Sequence, residues 1–390
     1  MKNILRWLTI LAILISVSCK KPESVPASSG KPQKNIAADE IVIGEFGPLT
    51  GSTAALGQGS HKGVMIATQE INAAGGLLGK KVRIISEDTQ GRPEQAVTTI
   101  LKLIQRDRVV AIIGEIKSSC SIAAAPIAQE HKIPMISPSA TNPEVTQKGD
   151  YIFRACFIDS YQGDIMAKFA LDTLKVRSVA IFTDRKNDYS VGLAKFFKER
   201  FLERGGKVAA EENYQAGEVE FKPQLANIRS TNPEAIFVPG YYTECALIAR
   251  QIRELGMTMP ILGGDGWDSE VTIKNGGKAV EGTYFSTHYH PEDPRPEVQE
   301  FLKKYKQSYQ GEVPDSSGVL GYDTANILFD AIRRAGSTDP QAIRDQLAKT
   351  SDFLSVAGKL TIDEHRNARK GAVVLKIEDG RFKFVKQIAP

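Results

Sequence analysis

The chain has 390 residues, with 50 Lys/Arg against 46 Asp/Glu and a formal net charge of +4. Residues 1–38 hold six of those bases and one of the acids, leaving 44 bases and 45 acids in 39–390. A near-neutral body of roughly 350 residues is long enough for two domains and argues against a nucleic-acid partner or a broad anionic-membrane patch.

At the start, Lys2 and Arg6 precede the apolar run WLTILAILISVS. About a dozen residues are too few to span a bilayer, which needs ~20, but match a secretory h-region. Ser18 and Cys19 follow. A small residue directly before a cysteine resembles the lipobox of bacterial lipoproteins, which implies that 1–18 is a signal peptide and that Cys19 is acylated. The alternative is an ordinary cleaved leader with an incidental cysteine. Residues 19–38, rich in Pro, Ser and Lys and without aromatics, read as a flexible tether, since they bury too little apolar surface to offset ordering entropy. No later stretch approaches transmembrane length. Cys120, Cys156 and Cys245 remain, an odd number without CxxC spacing. One disulfide among them, or three buried small hydrophobes, are both compatible with an envelope location.

From residue 40, short β-branched runs alternate with amphipathic helical segments. Strands are expected at 40–46, 81–88, 109–114 and 133–137, with helices at 59–76, 93–107 and 118–132. After a connection through YIFRACF the alternation restarts. Helices are expected at 162–174, 191–206, 221–230 and 245–256, and strands at 178–184, 207–214, 235–240 and 260–264. Three helices (300–309, 322–336, 340–350) and a hairpin turning at Asp379-Gly380 close the chain. This rhythm predicts an α/β fold of two similar lobes with parallel sheets covered on both faces.

Parallel sheets bind ligands beyond the carboxyl ends of their strands, so the loops there carry the functional signal. The Gly-rich loop 47–59 offers backbone amides and Leu56 as an apolar wall. Its glycines lie too far from the strand for a dinucleotide fingerprint, although Glu87 and Asp88 sit where a ribose partner would be expected. GGLLGKK has the wrong spacing for a P-loop. At the next helix, Ser118 or Ser119 is a candidate N-cap beside free amides that favour an anion. In ISPSATNPEVT, Ser137, Ser139, Thr141 and Asn142 form a hydroxyl-rich, neutral cradle for a carboxylate; turn chemistry alone is the competing account. In the second half, Tyr189, Tyr241, Tyr242 and Asp265 form an acid ringed by aromatics, suited to an ammonium. Together these describe a two-lobed clamp closing on a zwitterion.

IVIGEFGPLTGSTAALGQG, GVMIATQEINAAGGLLGKKV, ISPSATNPEVT, VPGYYTECALIARQIRELG and LGGDGWDSE, in this order, resemble the branched-chain amino-acid (Leu/Ile/Val) binding proteins of ABC transporters, in lipoprotein form. The resemblance covers nearly the whole mature chain. It implies a type I periplasmic-binding-protein fold: two Rossmann-like lobes, three crossover strands and a cleft. Lobe 1 would comprise 39–157 and 288–368, and lobe 2 158–287 and 369–390. It implies carboxylate binding at Ser118, Ser139 and Thr141, beside the Ser119 already noted, an ammonium acceptor at the carbonyl near Ser139 and Ala140, and an acidic ammonium partner at Asp265. Tyr189, Tyr241 and Leu56 would close around the side chain. It further implies a monomer, no cofactor, no catalysis, ABC permease subunits as partners and membrane attachment through the lipid alone, at the periplasmic face or cell envelope. Three features depart from the pattern. The ammonium partner is Asp265 where some members have Glu, which shortens its reach. The family's disulfide positions hold the Gln90-Gly91 region and Lys117, so that bridge is absent, and Lys117 adds a charge beside the cleft. Amides, urea, aromatic acids or a sensing role are the alternatives. A sensor is expected to continue into a transmembrane helix, which this sequence lacks. No G-x-S-x-G or HExxH motif is present. His288 and His290, alternating along one strand near Glu292 and Asp293, are expected to be exposed hinge residues, with a metal site the lesser alternative.

Overall fold

The computed structural model describes residues 40–389; the leader, Cys19 and the tether lie outside the described residues. In chain order the first half contains β1 (Glu40–Gly47), α1 (Ala54–Ala73), β2 (Lys81–Asp88), α2 (Pro93–Leu101), β3 (Ile112–Ile113), α3 (Ser118–Glu130), β4 (Met135–Ser137), α4 (Glu144–Gln147) and β5 (Ile152–Arg154). The second holds α5 (Asp159–Lys168), β6 (Ser178–Asp184), α6 (Asp188–Glu203), β7 (Lys207–Tyr214), α7 (Lys222–Ser230), β8 (Ala235–Phe237), α8 (Tyr242–Glu254), β9 (Ile261–Gly263), α9 (Glu270–Gly276) and β10 (Tyr284–Thr287). Then come α10 (Pro296–Ser308), α11 (Ser316–Ala335), α12 (Pro340–Leu347), β11 (Phe353–Ser355), β12 (Gly358–Ile362), β13 (Ala368–Arg369), β14 (Ala372–Glu378) and β15 (Arg381–Ile388).

The first sheet is ordered β2-β1-β3-β4-β5 and is parallel throughout. The second runs β15-β14-β10-β9-β8-β6-β7. Its parallel part, β7-β6-β8-β9-β10, repeats the order of the first, and β14 and β15 extend it antiparallel. The likeness between halves is therefore topological: each is a 2-1-3-4-5 sheet with helices on both faces. β11, β12 and β13 form a separate small antiparallel sheet. The chain passes between the lobes three times, after β5, after β10 and before β14.

Local chemistry explains most element ends. Prolines occupy the first turns of α2, α7, α10 and α12, where a missing amide hydrogen costs nothing. Asp315 and Asp339 cap α11 and α12 through their carboxylates. The hairpin turns at Asp379 and Gly380, both at positive φ, as the Asp-Gly signal predicts.

Three expectations need correction. YIFRACF is not a plain connection, because Ile152–Arg154 pairs with β4 as the fifth strand. The helix expected from residue 59 begins at Ala54, so much of the supposed loop is α1. Its glycines are there for packing: a Cβ on Gly57 would strike Pro48, one on Gly59 would strike Ser317, and one on Gly63 would strike the Gly318 carbonyl. The third concerns the histidines. His288 and His290 are 2% and 8% exposed rather than on the surface, and each stacks on an aromatic ring. Cys120, Cys156 and Cys245 are buried free thiols, with burial holding Cys156 up to about 12.

Candidate functional site

The repeated topology determines which side chains meet. The carboxyl ends of β1, β3 and β4 present Leu56, Ile116 and Ser139, and those of their counterparts β6, β8 and β9 present Tyr189, Tyr241 and Asp265. These six side chains line one narrow interlobe pocket. The fifth strands take part as well. Phe157 follows β5 and His288 follows β10, and their rings stack at 3.9 Å. The start of α11 completes the wall with Ser316, Ser317 and Leu320.

The lobes are in contact around this cavity. Leu56 and Ile116 belong to the same apolar cluster as Tyr189, Leu193 and Tyr241. Tyr242 Oη accepts the Ala55 amide at 3.1 Å, and Thr243 Oγ1 donates to the Ser52 carbonyl at 2.6 Å. The Asp188 amide donates to Ser119 Oγ at 3.0 Å, and Asn142 Nδ2 donates to the Asp188 carbonyl at 2.8 Å. The Ser316 amide reaches Asp268 Oδ2 at 3.3 Å. This is a closed clamp.

Asp265 sits on a short 3₁₀ turn after β9, its amide fixed by Gln162 Oε1 at 2.7 Å. One carboxylate oxygen, Oδ2, lies 3.2 Å from His288 Nε2. The other, Oδ1, is buried without a hydrogen-bond partner. Tyr189 and Tyr241 stack at 5.2 Å beside it, and Tyr189 Oη accepts the Gly266 amide at 3.1 Å. Burial, reinforced by the Asp265 charge, holds both phenols far above their ordinary range, so they stay protonated. An orphaned buried carboxylate oxygen is costly unless a donor arrives. The arrangement suits a cation with N–H groups and an apolar body.

The opposite wall is neutral. Ser139 Oγ donates to the Ile116 carbonyl at 3.2 Å and faces the cavity. Neither Ser118 nor Ser119 caps α3. Lys117 is the N-cap residue and supplies no side-chain cap, so the first amides of α3 have no local acceptor. Ser118 Oγ instead accepts the Asn142 amide at 3.2 Å, and the Ala140 amide is held by Ser137 Oγ at 3.0 Å. Thr141 Oγ1 is buried with no partner. Ser118, Ser119, Ala140 and Thr141 thus stand behind the lining rather than in it. Lys117 is also outside the lining. Its ammonium donates to the Gly91 carbonyl at 3.0 Å and lies 5.2 Å over the Tyr241 ring, a non-covalent tie where the resemblance places a disulfide. Asp88 and Glu87 are occupied too, the former by the Leu49 amide at 2.9 Å and the latter by Lys102.

Sequence reasoning missed Ile116, His288 and the Ser316, Ser317 and Leu320 group. Only the last left a local trace: Pro314-Asp315-Ser316-Ser317 is a capping sequence that places the helix start at 316 rather than 322.

The match to the periplasmic binding protein family model spans residues 40–381. The chain is 32% identical over 355 residues to the Leu/Ile/Val-binding protein homolog 1 of Brucella suis, covering 89% of this chain and 94% of that one. The leucine binding protein LivK of Thermotoga maritima superposes with a TM-score of 0.87 at 42% identity, over 90% of this chain and 99% of that one. LivJ of Streptococcus pneumoniae, a branched-chain amino acid transporter substrate-binding protein solved with isoleucine, gives 0.85 at 32%, over 90% and 100%. Among the described residues no helix is long and apolar enough to cross a membrane. The duplicated 2-1-3-4-5 lobes, the cleft at their facing strand ends and these matches agree: the chain belongs to the periplasmic binding protein family.

Proposed function

We propose that this protein is the extracytoplasmic substrate-binding component of an ABC importer, capturing a small α-amino acid, branched-chain favoured, and delivering it to permease subunits. It is a binding protein without catalysis, acting as a monomer tethered through a lipid on Cys19, with lobe 1 at 39–157 and 288–368 and lobe 2 at 158–287 and 369–390. The observation that carries this reading is the unpartnered Asp265 Oδ1 in a cavity whose other walls, His288 apart, are aliphatic or hydroxyl-bearing. The ligand ammonium goes to Asp265; the Ala140 carbonyl, where the resemblance places a second acceptor, is held by the buried Arg154 guanidinium. The ligand carboxylate goes to Ser139 and the uncapped start of α3, supported by Ser118, Ser119 and Thr141. Leu56, Ile116 and Leu320 form the apolar seat for an aliphatic side chain, with Tyr189 and Tyr241 as its floor. Release to a permease requires moderate affinity, a Kd near micromolar or ~8 kcal/mol. A melting-shift panel of free amino acids tests this. A ligand at 100 times its Kd adds ~2.7 kcal/mol, and no shift with Leu, Ile, Val or any other α-amino acid overturns the proposal.

A further inference from the structure

His288 is the one cavity-wall residue whose placement depends on both ends of the clamp at once. It follows β10, in the second passage between lobes, and its ring stacks on Phe157 from the first passage with 18° between planes. Its side chain is fully buried. Nε2 lies 3.2 Å from Asp265 Oδ2, and Nδ1 is buried with no partner. Burial lowers the imidazole to about 4, the hydrogen bond to Asp265 opposing that trend, and buried Lys370 adds to the lowering. The ring is therefore neutral at ordinary pH. A carboxylate can only accept, so the proton sits on Nε2 and is donated to Asp265.

Aspartate has a short side chain, but its carboxylate rotates about a broad terminal torsion. With neither oxygen held, the position of the acceptor presented to a ligand is undefined. With Oδ2 held by a ring that is itself stacked in place, Oδ1 takes one position, at the cavity wall and without a partner. We propose that His288 is a positioning residue for ammonium recognition, pinning Oδ2 of Asp265 so that Oδ1 is aimed at the α-ammonium of the bound amino acid. This rests on the functional reading above. His288 need not touch the ligand; it acts through Asp265.

A thermodynamic cycle on L-leucine affinity tests this by calorimetry, with the full mature chain as wild type, His288→Leu, Asp265→Ala and the double variant. His288→Leu is expected to weaken binding by about tenfold or more, and the double variant to bind no more weakly than Asp265→Ala alone, because the histidine has nothing left to position. His288→Gln, which restores an N–H donor at similar reach, is expected to recover most of the affinity. Losses that multiply in the double variant, or a His288→Gln protein as weak as His288→Leu, assign His288 to packing alone and overturn the inference. So does His288→Leu binding leucine like wild type. If His288→Leu fails to fold, the comparison of His288→Gln with wild type decides: an affinity loss as large as that of Asp265→Ala refutes the inference, and near-wild-type binding supports it. A wild-type protein that binds no α-amino acid removes the functional reading instead, and that failure is distinguishable because it precedes any substitution.

Discussion

Replacing Asp265 by asparagine keeps the volume of the site and removes only its charge. His288 Nε2 donates at 3.2 Å, so the asparagine must turn its carbonyl oxygen to the imidazole. Its NH₂ then occupies the Oδ1 position and meets the ligand ammonium donor to donor. Removing one partner of a buried, hydrogen-bonded charge pair costs ~2–5 kcal/mol. A mid-range loss of ~3 kcal/mol corresponds to a roughly hundredfold weaker Kd. At a leucine concentration 100 times the wild-type Kd, ligand stabilisation falls from ~2.7 to ~0.4 kcal/mol. The unliganded protein behaves differently. Its Oδ1 is buried without a partner, a burden of ~1–3 kcal/mol that the equally unpartnered asparagine NH₂ inherits, so Asp265→Asn is expected to melt near the wild-type temperature without ligand. Calorimetry and thermal melts with and without leucine read both effects. Unchanged affinity, or a loss matched by equal destabilisation of the unliganded protein, refutes the reasoning.

Lys117→Met removes a contact that spans the lobes, the ammonium over Tyr241 at 5.2 Å and its bond to Gly91. At about 1 kcal/mol, ligand release measured by stopped flow accelerates ~5-fold with little change in association, and an unaltered off-rate counts against a latch. Gly63→Ala places a methyl group against the Gly318 carbonyl and the Tyr322 amide, so denaturant unfolding is expected to show a loss of ~3 kcal/mol or more. Wild-type stability there means that α1 and α11 separate freely. Burial raises the Glu115 carboxyl from 4.5 to about 7 despite hydrogen bonds from Thr89 and Lys117. Its folded pKa exceeds its unfolded one, so its contribution is complete below about pH 4.5 and is lost as pH rises through about 7. Glu115→Gln therefore removes about 3 kcal/mol of the fall in stability between pH 4.5 and 8, and parallel profiles for the two proteins in urea contradict this.

The long strands β1, β2 and β6 were legible because their β-branched runs need no partner to be recognised, and the order of loops led to Leu56, Ser139, Tyr189, Tyr241 and Asp265 in one cavity. The failures have a common physical origin in contacts distant along the chain. Gly57 and Gly59 read as loop punctuation, whereas their purpose is set by Pro48 and by Ser317, far away in sequence. His288 reads as an exposed hinge residue until Phe157, 131 positions earlier, covers it. The Ser118 hydroxyl is a sound N-cap in isolation, but the helix begins on it and its oxygen accepts the Asn142 amide instead. Sequence pattern specifies which groups arrive at the strand ends. It does not specify which of them neighbouring backbone consumes on arrival.

The close seam between α1 and α11 has a consequence for selectivity. Leu56 rides on one helix and Ser316, Ser317 and Leu320 on the other, and the two backbones touch through glycines at 59, 63, 318 and 321. Such a pair behaves like a stamped die: neither half can yield to a bulkier guest without driving main chain into main chain. The mould on that side is adjustable only by exchanging the side chains that face inward, so a shift in preference among amino acids is written at those four positions rather than in the scaffold beneath.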